Sequence, residues 1–425
     1  MAGMDAKEKK IIEAVESLAD DIFDLMVRLV AEPSTLGNEQ SVIRVMADQL
    51  TRLGYPPRSI PLDSEALRSH PAFAPVLWDL TGRENLASVR PADGDGGKGA
   101  LFNGHLDVVS PEPLSFWDRS PFEPMVKDGW MYGRGSGDMK SGVAAMTYAV
   151  HAIDRAGLGL NAPVTINAVI EEECTGNGAL ASVLAGCDAE AVLIPEPFGP
   201  TLYTAQVGVL WFKVNISGVP VHVLAARAGT NAIEKGYLII QALRGLEEEL
   251  NRAPRPGPYR NLNHPLNLNI GIFEGGDWPS TVPAQASFHG RLSYFPDMAY
   301  DRICRRIVDC VADAAAKDPW LSANPPEVEF YGFRSDGHMI SRNLPALQAL
   351  NACHRDLAGE DTLEYVSTCT TDLRAFQFFG HGQVTCFGPV AENIHGSNER
   401  VNLESVLHTA KSYALFLSRW CGLRE

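Results

Sequence analysis

Apolar residues near the start of the chain recur at steps of three and four. Ile11, Ile12, Val15, Leu18, Ile22, Leu25, Met26 and Leu29 fall on one stripe, which predicts a single amphipathic helix ended by Pro33 and Gly37. Val42, Ile43, Val45, Met46, Leu50 and Leu53 repeat the pattern until Gly54 stops it. The period then shortens. Two β-like runs, 85–90 and 100–103, flank a Gly-rich stretch over 91–98 that reads as a hairpin connection. A helix over 142–156, a strand over 164–170, a helix over 178–184 and a strand over 191–194 follow. Strands that alternate with helices predict an α/β sheet covered on both faces.

Beyond Val207 the order changes. Strands are predicted over 209–217, 266–273, 286–294 and 328–333, with helices over 231–252 and 298–316 between them. That β-α-β-β-α-β order is the ferredoxin-like plan. The chain then returns to helix (344–357), strand (384–387) and a last helix (403–421). The expected organisation is an α/β domain in two parts, 1–207 and 336–425, with an α+β unit inserted at 208–335.

Composition adds limits. At 425 residues the chain exceeds one ordinary core, and 45% hydrophobic with 21% charged residues is normal for a globular protein. A net charge of −16 repels phosphate backbones and anionic headgroups, which disfavours nucleic acid and membrane partners. The eight cysteines form no C-x-x-C pair, as expected of reduced thiols in a reducing compartment. The first 25 residues are charged and amphipathic and lack the apolar run of a signal peptide, and no stretch approaches the ~20 apolar residues of a membrane span. A cytoplasmic location is expected.

Five short motifs place an acid or a histidine just beyond a predicted strand or in a Gly-rich turn. They are Gly104-His105-Leu106-Asp107, the turn from Gly133 to Lys140 that carries Asp138, Glu171-Glu172-Glu173, Pro195-Glu196-Pro197 and Ile394-His395-Gly396. Sites in open α/β sheets form outside the carboxyl ends of strands. Each motif alone is ordinary, since a run of three glutamates is commonly a solvated surface. Here the run follows the buried stretch Ala168-Val169-Ile170, and a cation there would offset the mutual repulsion. Two histidines with several carboxylates suit zinc, manganese or cobalt.

Together the stretches GHLDVV, GRGSGDMKSG, EEECTGNGA, PEP, GVPVH with the following GTNAI, and NIHGSNE resemble the M20 family of metallopeptidases and deacylases. They run in the family's order over most of the chain. The resemblance implies a mixed-sheet metallohydrolase catalytic domain with an inserted ferredoxin-like dimerisation (lid) domain. It implies two divalent metal ions per chain, zinc first, with manganese or cobalt as alternatives. His105 and Glu196 would hold one, Glu173 and His395 the other, and Asp138 would bridge them. Glu172 would be the general base for the attacking water between the two ions. Asp107 would orient His105 through its second ring nitrogen. His222 would serve the neighbouring subunit's site as an oxyanion donor, with Asn231 following at the family's spacing as a substrate contact. A homodimer or higher homo-oligomer acting on a small molecule is therefore expected.

The chain also departs from the family's pattern. Val223, Leu224 and Ala226 stand where two serines and a proline are usual, and Ser280-Thr281-Val282-Pro283 replaces Asn-Val-Ile-Pro. The arginine that often grips a substrate carboxylate would fall near Ser293. Arg291 lies two residues earlier and, on an alternating strand, faces the same way. The leading expectation is hydrolysis of the C–N amide bond of an N-acyl amino acid-like substrate. The second is hydrolytic deamination of a non-peptide, aromatic amine on the same scaffold. A catalytically dead binding scaffold is the third, and the presence of Glu172 beside a full ligand set argues against it.

Overall fold

The computed structural model describes residues 4–424, so the first three residues and the last, which the expected segments 1–207 and 336–425 include, lie outside the described residues. Its centre is a mixed six-stranded sheet. In spatial order the strands are Arg58–Pro61, Glu84–Arg90, Val164–Val169, Ala100–His105, Ala191–Ile194 and Gln383–Cys386. The last four run parallel and the first two antiparallel to their neighbours. The near-continuous apolar runs Val164–Val169 and Ala191–Ile194 are almost wholly buried, as parallel strands covered on both faces must be. The helices Ala6–Ser17, Ser141–Arg155 and Leu403–Trp420 pack with this sheet into one large core.

The expected hairpin over 85–103 does not form. Strand Val164–Val169 lies between Glu84–Arg90 and Ala100–His105, antiparallel to the first and parallel to the second. Residues 91–98 do form a loop, but a strand from farther along the chain takes the central place. The first predicted helix is two, Ala6–Ser17 and Ala19–Val30, joined at Leu18. The apolar stripe stays in phase across that joint, so periodicity cannot reveal it.

The stretch from Gly208 to Ser335 builds a second sheet, in the order Leu268–Gly275, Gln285–Tyr294, Gly208–Ser217, Glu327–Ser335, all antiparallel. Helices Ala232–Arg252 and Tyr300–Ala315 cover one face and form a separate core around Phe212, Phe288, Leu243 and Ile307. The alternation along Gln285–Tyr294 buries Ala286, Phe288 and Leu292 against those helices. Its odd-numbered residues face the other way. Among the described residues, no helix is long and apolar enough to cross a membrane. All eight cysteines are free of disulfides.

Candidate metal centre

Each candidate residue sits where a buried element ends. His105 closes strand Ala100–His105 and is almost fully buried. Asp138 stands in a Gly-rich turn just before helix Ser141–Arg155. Glu172 and Glu173 follow strand Val164–Val169, and Glu196 follows Ala191–Ile194. His395 lies in the loop before Arg400–Asn402 with a left-handed φ of 61°. One glycine explains how closely these ends converge. A Cβ on Gly142 would lie 2.3 Å from the Pro195 carbonyl oxygen, so glycine lets the Pro195-Glu196 turn approach the helix that follows Asp138.

The two oxygens of Asp138 face two histidines, one at a strand end and one in a loop. Oδ1 is 3.1 Å from His105 Nε2, and Oδ2 is 3.4 Å from His395 Nε2. His395 Nε2 is also 3.1 Å from Glu173 Oε2, and His105 Nε2 is 3.9 Å from Glu172 Oε2. Ligand atoms of His105, Asp138 and Glu173 lie within 4.8 Å of one another. Glu196 is buried, and one carboxylate oxygen each of Glu173 and Glu196 has no hydrogen-bond partner.

The electrostatics of the cluster favour positive charge among these acids. Burial pushes Glu172 and Glu196 well above the usual carboxylate range, and the neighbouring acids add to it. Glu173 beside His395 raises that imidazole to about 12, against the effect of burial. His105 is raised as well, because the Asp138 hydrogen bond and the charges of Glu172 and Asp107 outweigh its burial. Burial disfavours charge on Asp138 too, but its hydrogen bonds to both histidines hold it below the usual range. A pocket that gathers this many acids around two imidazoles, with carboxylate oxygens left over, has the donor set of a site for divalent cations.

The glutamate run divides its tasks. Glu171, with φ 72°, turns away and pairs with Arg83, and it accepts hydrogen bonds from Trp78 and Thr175. Asp107 meets the second ring nitrogen of His105 through its main chain and not its side chain. His105 Nδ1 is 2.9 Å from the backbone carbonyl oxygen of Asp107 and 3.6 Å from its carboxylate. The carboxylate instead accepts the backbone N–H groups of Glu173 at 3.1 Å and Glu172 at 3.4 Å. Those N–H groups lie in a turn without strand partners, and a buried donor left unpaired is costly.

The other candidates lie apart. Arg291 lines a cavity of about 630 Å³ together with Asp138, Glu172, Glu173, Glu196 and His395. Burial lowers its pKa, and among the described residues no hydrogen bond or ion pair reaches its guanidinium. His222 and Asn231 do not line that cavity in this chain. His222 is exposed, and its Nδ1 accepts the Leu224 N–H. Asn231 caps helix Ala232–Arg252, accepting from the N–H groups of Ile233 and Glu234.

Two buried acids had no role in the sequence reading. Glu399 accepts backbone N–H groups from Gly135 (3.0 Å), Gly137 (2.8 Å) and Asp138 (3.0 Å) and pairs with Arg134 at 2.6 Å. It thereby ties the His395 loop to the Asp138 turn. Its place four residues after His395, in the quoted NIHGSNE stretch, was the available signal. Asp372 accepts a hydrogen bond from Asn103 at 3.0 Å, and burial raises it to about 6. Nothing in its polar loop marks it in advance.

Residues 101–419 match the family model described as peptidase family M20/M25/M40. The N-formyl-4-amino-5-aminomethyl-2-methylpyrimidine deformylase of Halalkalibacterium halodurans is 26% identical over 372 residues, covering 82% of this chain and 86% of that protein. The succinyl-diaminopimelate desuccinylase of Thioalkalivibrio sulfidiphilus is 24% identical over 413 residues, covering 94% and 98%. Among solved structures, the di-peptidase Dug1p of Saccharomyces cerevisiae shares the fold with a TM-score of 0.80 at 16% identity, covering 98% of this chain and 99% of that one.

Proposed function

The chain belongs to the M20/M25/M40 peptidase family, and from that premise we propose that it cleaves the amide bond of a small N-acyl amino acid-like substrate, with Glu172 as general base beside two divalent ions. That it is a metal-dependent hydrolase acting on C–N bonds follows from the family and from relatives named as a deformylase and a desuccinylase. The single observation that carries the finer reading is Asp138. Its two oxygens each face a different histidine, the arrangement a shared carboxylate needs between two ions.

In this reading His105 and Glu196 would hold one ion, Glu173 and His395 the other, and Asp138 would serve both. Such ions would supply Lewis acidity toward the scissile carbonyl and the attacking water. Glu172 takes the water's proton and returns it to the leaving nitrogen. Among the described residues its side chain has no hydrogen-bond partner, which leaves it available for that task. Arg291 receives the substrate's carboxylate, for which a planar guanidinium is suited. The partner subunit's His222 supplies an oxyanion donor. The site so assembled belongs to a homodimeric, cytoplasmic enzyme with zinc, manganese or cobalt.

The second reading, hydrolytic deamination of an aromatic amine, uses the same water and the same base. The aromatic residues that line the cavity, Trp211, Tyr331 and Phe333 among them, keep it in view. One experiment addresses both. Metal-stripped protein is reconstituted separately with zinc, manganese and cobalt and offered N-acyl amino acids and arylamines. Release of free acid and free amino acid is the expected result. Release of ammonia alone would replace the first reading with the second, and no release with any metal would overturn both.

A further inference from the structure

The sheet of the inserted unit sets four side chains in one row above the metal centre. Asn269 is opposite Arg291, Arg291 is opposite Trp211, and Trp211 is opposite Tyr331, on four neighbouring strands. All four line the cavity that Asp138 and Glu172 also line. Trp211 meets Tyr331 edge-on at 5.9 Å between ring centroids and Phe333 edge-on at 5.2 Å. Tyr331 is held in turn by a hydrogen bond between its hydroxyl and His289. Phe198 and Tyr365, which also line the cavity, stack at 5.2 Å and 30°. Aromatic rings thus make up much of the apolar lining, beside the aliphatic Val109, Val209, Ile272 and Ile394.

Among the described residues the guanidinium of Arg291 meets no acceptor, and a partly buried guanidinium is costly unless an anion meets it. Directly opposite residues on antiparallel strands have Cβ atoms about 5 Å apart. The cation and the indole therefore line the same part of the cavity. A ring resting on Trp211 and Tyr331 lies beside the strand that carries Arg291, which suits an acid group borne on that ring.

From this row we infer that the substrates are aromatic carboxylates, with the ring against Trp211 and Tyr331, the ring-borne acid on Arg291 and the C–N bond toward Glu172. The inference rests on the hydrolase reading above and narrows its substrate class. A cavity of about 630 Å³ suits a molecule of this size.

The test is a binding measurement, independent of turnover. Benzoate, cyclohexanecarboxylate and aniline are titrated into the metal-loaded full chain, with tryptophan fluorescence or calorimetry as the readout. Benzoate should bind about three- to ten-fold more tightly than cyclohexanecarboxylate, the range typical of an aromatic pair. It should exceed aniline by roughly ten-fold or more, the effect of a charge-assisted hydrogen bond. Trp211→Leu should bring the benzoate-to-cyclohexanecarboxylate ratio to about one, and Arg291→Lys should erase most of the preference over aniline. Tyr331→Leu serves as a second variant should Trp211→Leu lose its metal, and it should lower the same ratio. Equal binding of benzoate and cyclohexanecarboxylate by the unaltered chain, or a ratio unchanged in the variants, overturns the inference. Ring-indifferent binding by an active amidase would sink this inference alone. Failure to release amine from any amide would sink the hydrolase reading and leave this measurement standing.

Discussion

A carboxylate can act as a base only while no neighbour claims it, and residues 171–173 divide on that point. Glu171 is committed to Arg83, Trp78 and Thr175, and Glu173 to His395. Glu172 is buried, lines the cavity and, among the described residues, makes no hydrogen bond through its side chain. Glu172→Gln keeps the shape and removes the basicity. Turnover should fall by roughly 10²–10⁴-fold while metal content stays that of the unaltered protein. Near-normal kcat would take Glu172 out of the mechanism. Asp138→Ala should lose both ions, read by elemental analysis, because each of its oxygens faces one histidine. Glu399 tests a different kind of role. Its carboxylate gathers three N–H groups of the Asp138 turn, so Glu399→Gln puts an amide donor against donors. Metal affinity should drop about 10–100-fold, the range for groups that orient ligands without touching the metal. An unchanged titration with zinc or manganese would dismiss the clamp. Glu399 ends the NIHGSNE stretch, yet its type and position alone do not reveal its task. An acid that accepts backbone N–H groups looks the same in sequence as one on the surface, since its partners are main chain.

Elements were legible where their patterning answers to burial on one side. The predicted strand over 191–194 and the helices over 178–184 and 403–421 match Ala191–Ile194, Asn177–Leu184 and Leu403–Trp420 to within a residue or so. The predicted helix over 231–252 is Ala232–Arg252, with Asn231 as its cap. Strand Thr201–Gln206 escaped notice. It pairs parallel with Leu363–Ser367 and antiparallel with His338–Met339, partners more than a hundred residues away that leave no local trace. The short strand His338–Met339 carries a consequence for acid stability. His338 is buried beside Phe378, neither ring nitrogen has a partner, and burial lowers its pKa from 6.5 to about 4. Between about pH 6.5 and pH 4 the unfolded chain binds a proton that the folded chain refuses. This group's contribution is therefore intact above pH 6.5 and is lost as pH falls toward 4. A shift of that size corresponds to roughly 3 kcal/mol. His338→Phe should flatten that part of the slope. Urea midpoints at pH 7 and pH 4.5 for both proteins are the check, and an equal acid loss in the two would remove His338 as the cause.

At the scale of the whole molecule, the inserted unit exposes more apolar surface than an isolated monomer needs. Leu224 is 90% exposed, Trp278 68% and Tyr237 59%, with Val223, Ile272 and Phe273 also open to solvent. The His222 loop is bridged to Thr281 and its Val223 N–H is bonded to the Ser280 carbonyl, so Leu224 and Trp278 belong to adjoining loops. Apolar patches of this kind commonly mark contact between subunits. Sedimentation should give a dimer, and a fully active monomer would end any role for His222 in a neighbour's site. Complementation decides the matter more sharply. In a two-fold dimer each site would combine Glu172 of one subunit with His222 of the other. Glu172→Gln and His222→Ala should each be nearly inactive alone. Mixed and allowed to exchange subunits, they form hybrids with one site that lacks both groups and one that has both. With half of the dimers hybrid and one of two sites intact in each, activity should return to about a quarter of normal. If His222 served its own subunit instead, every site in the hybrid would lack one group and mixing would restore nothing. A mixture that exchanges subunits, as shown by a tagged copy, yet stays inactive would exclude the shared site.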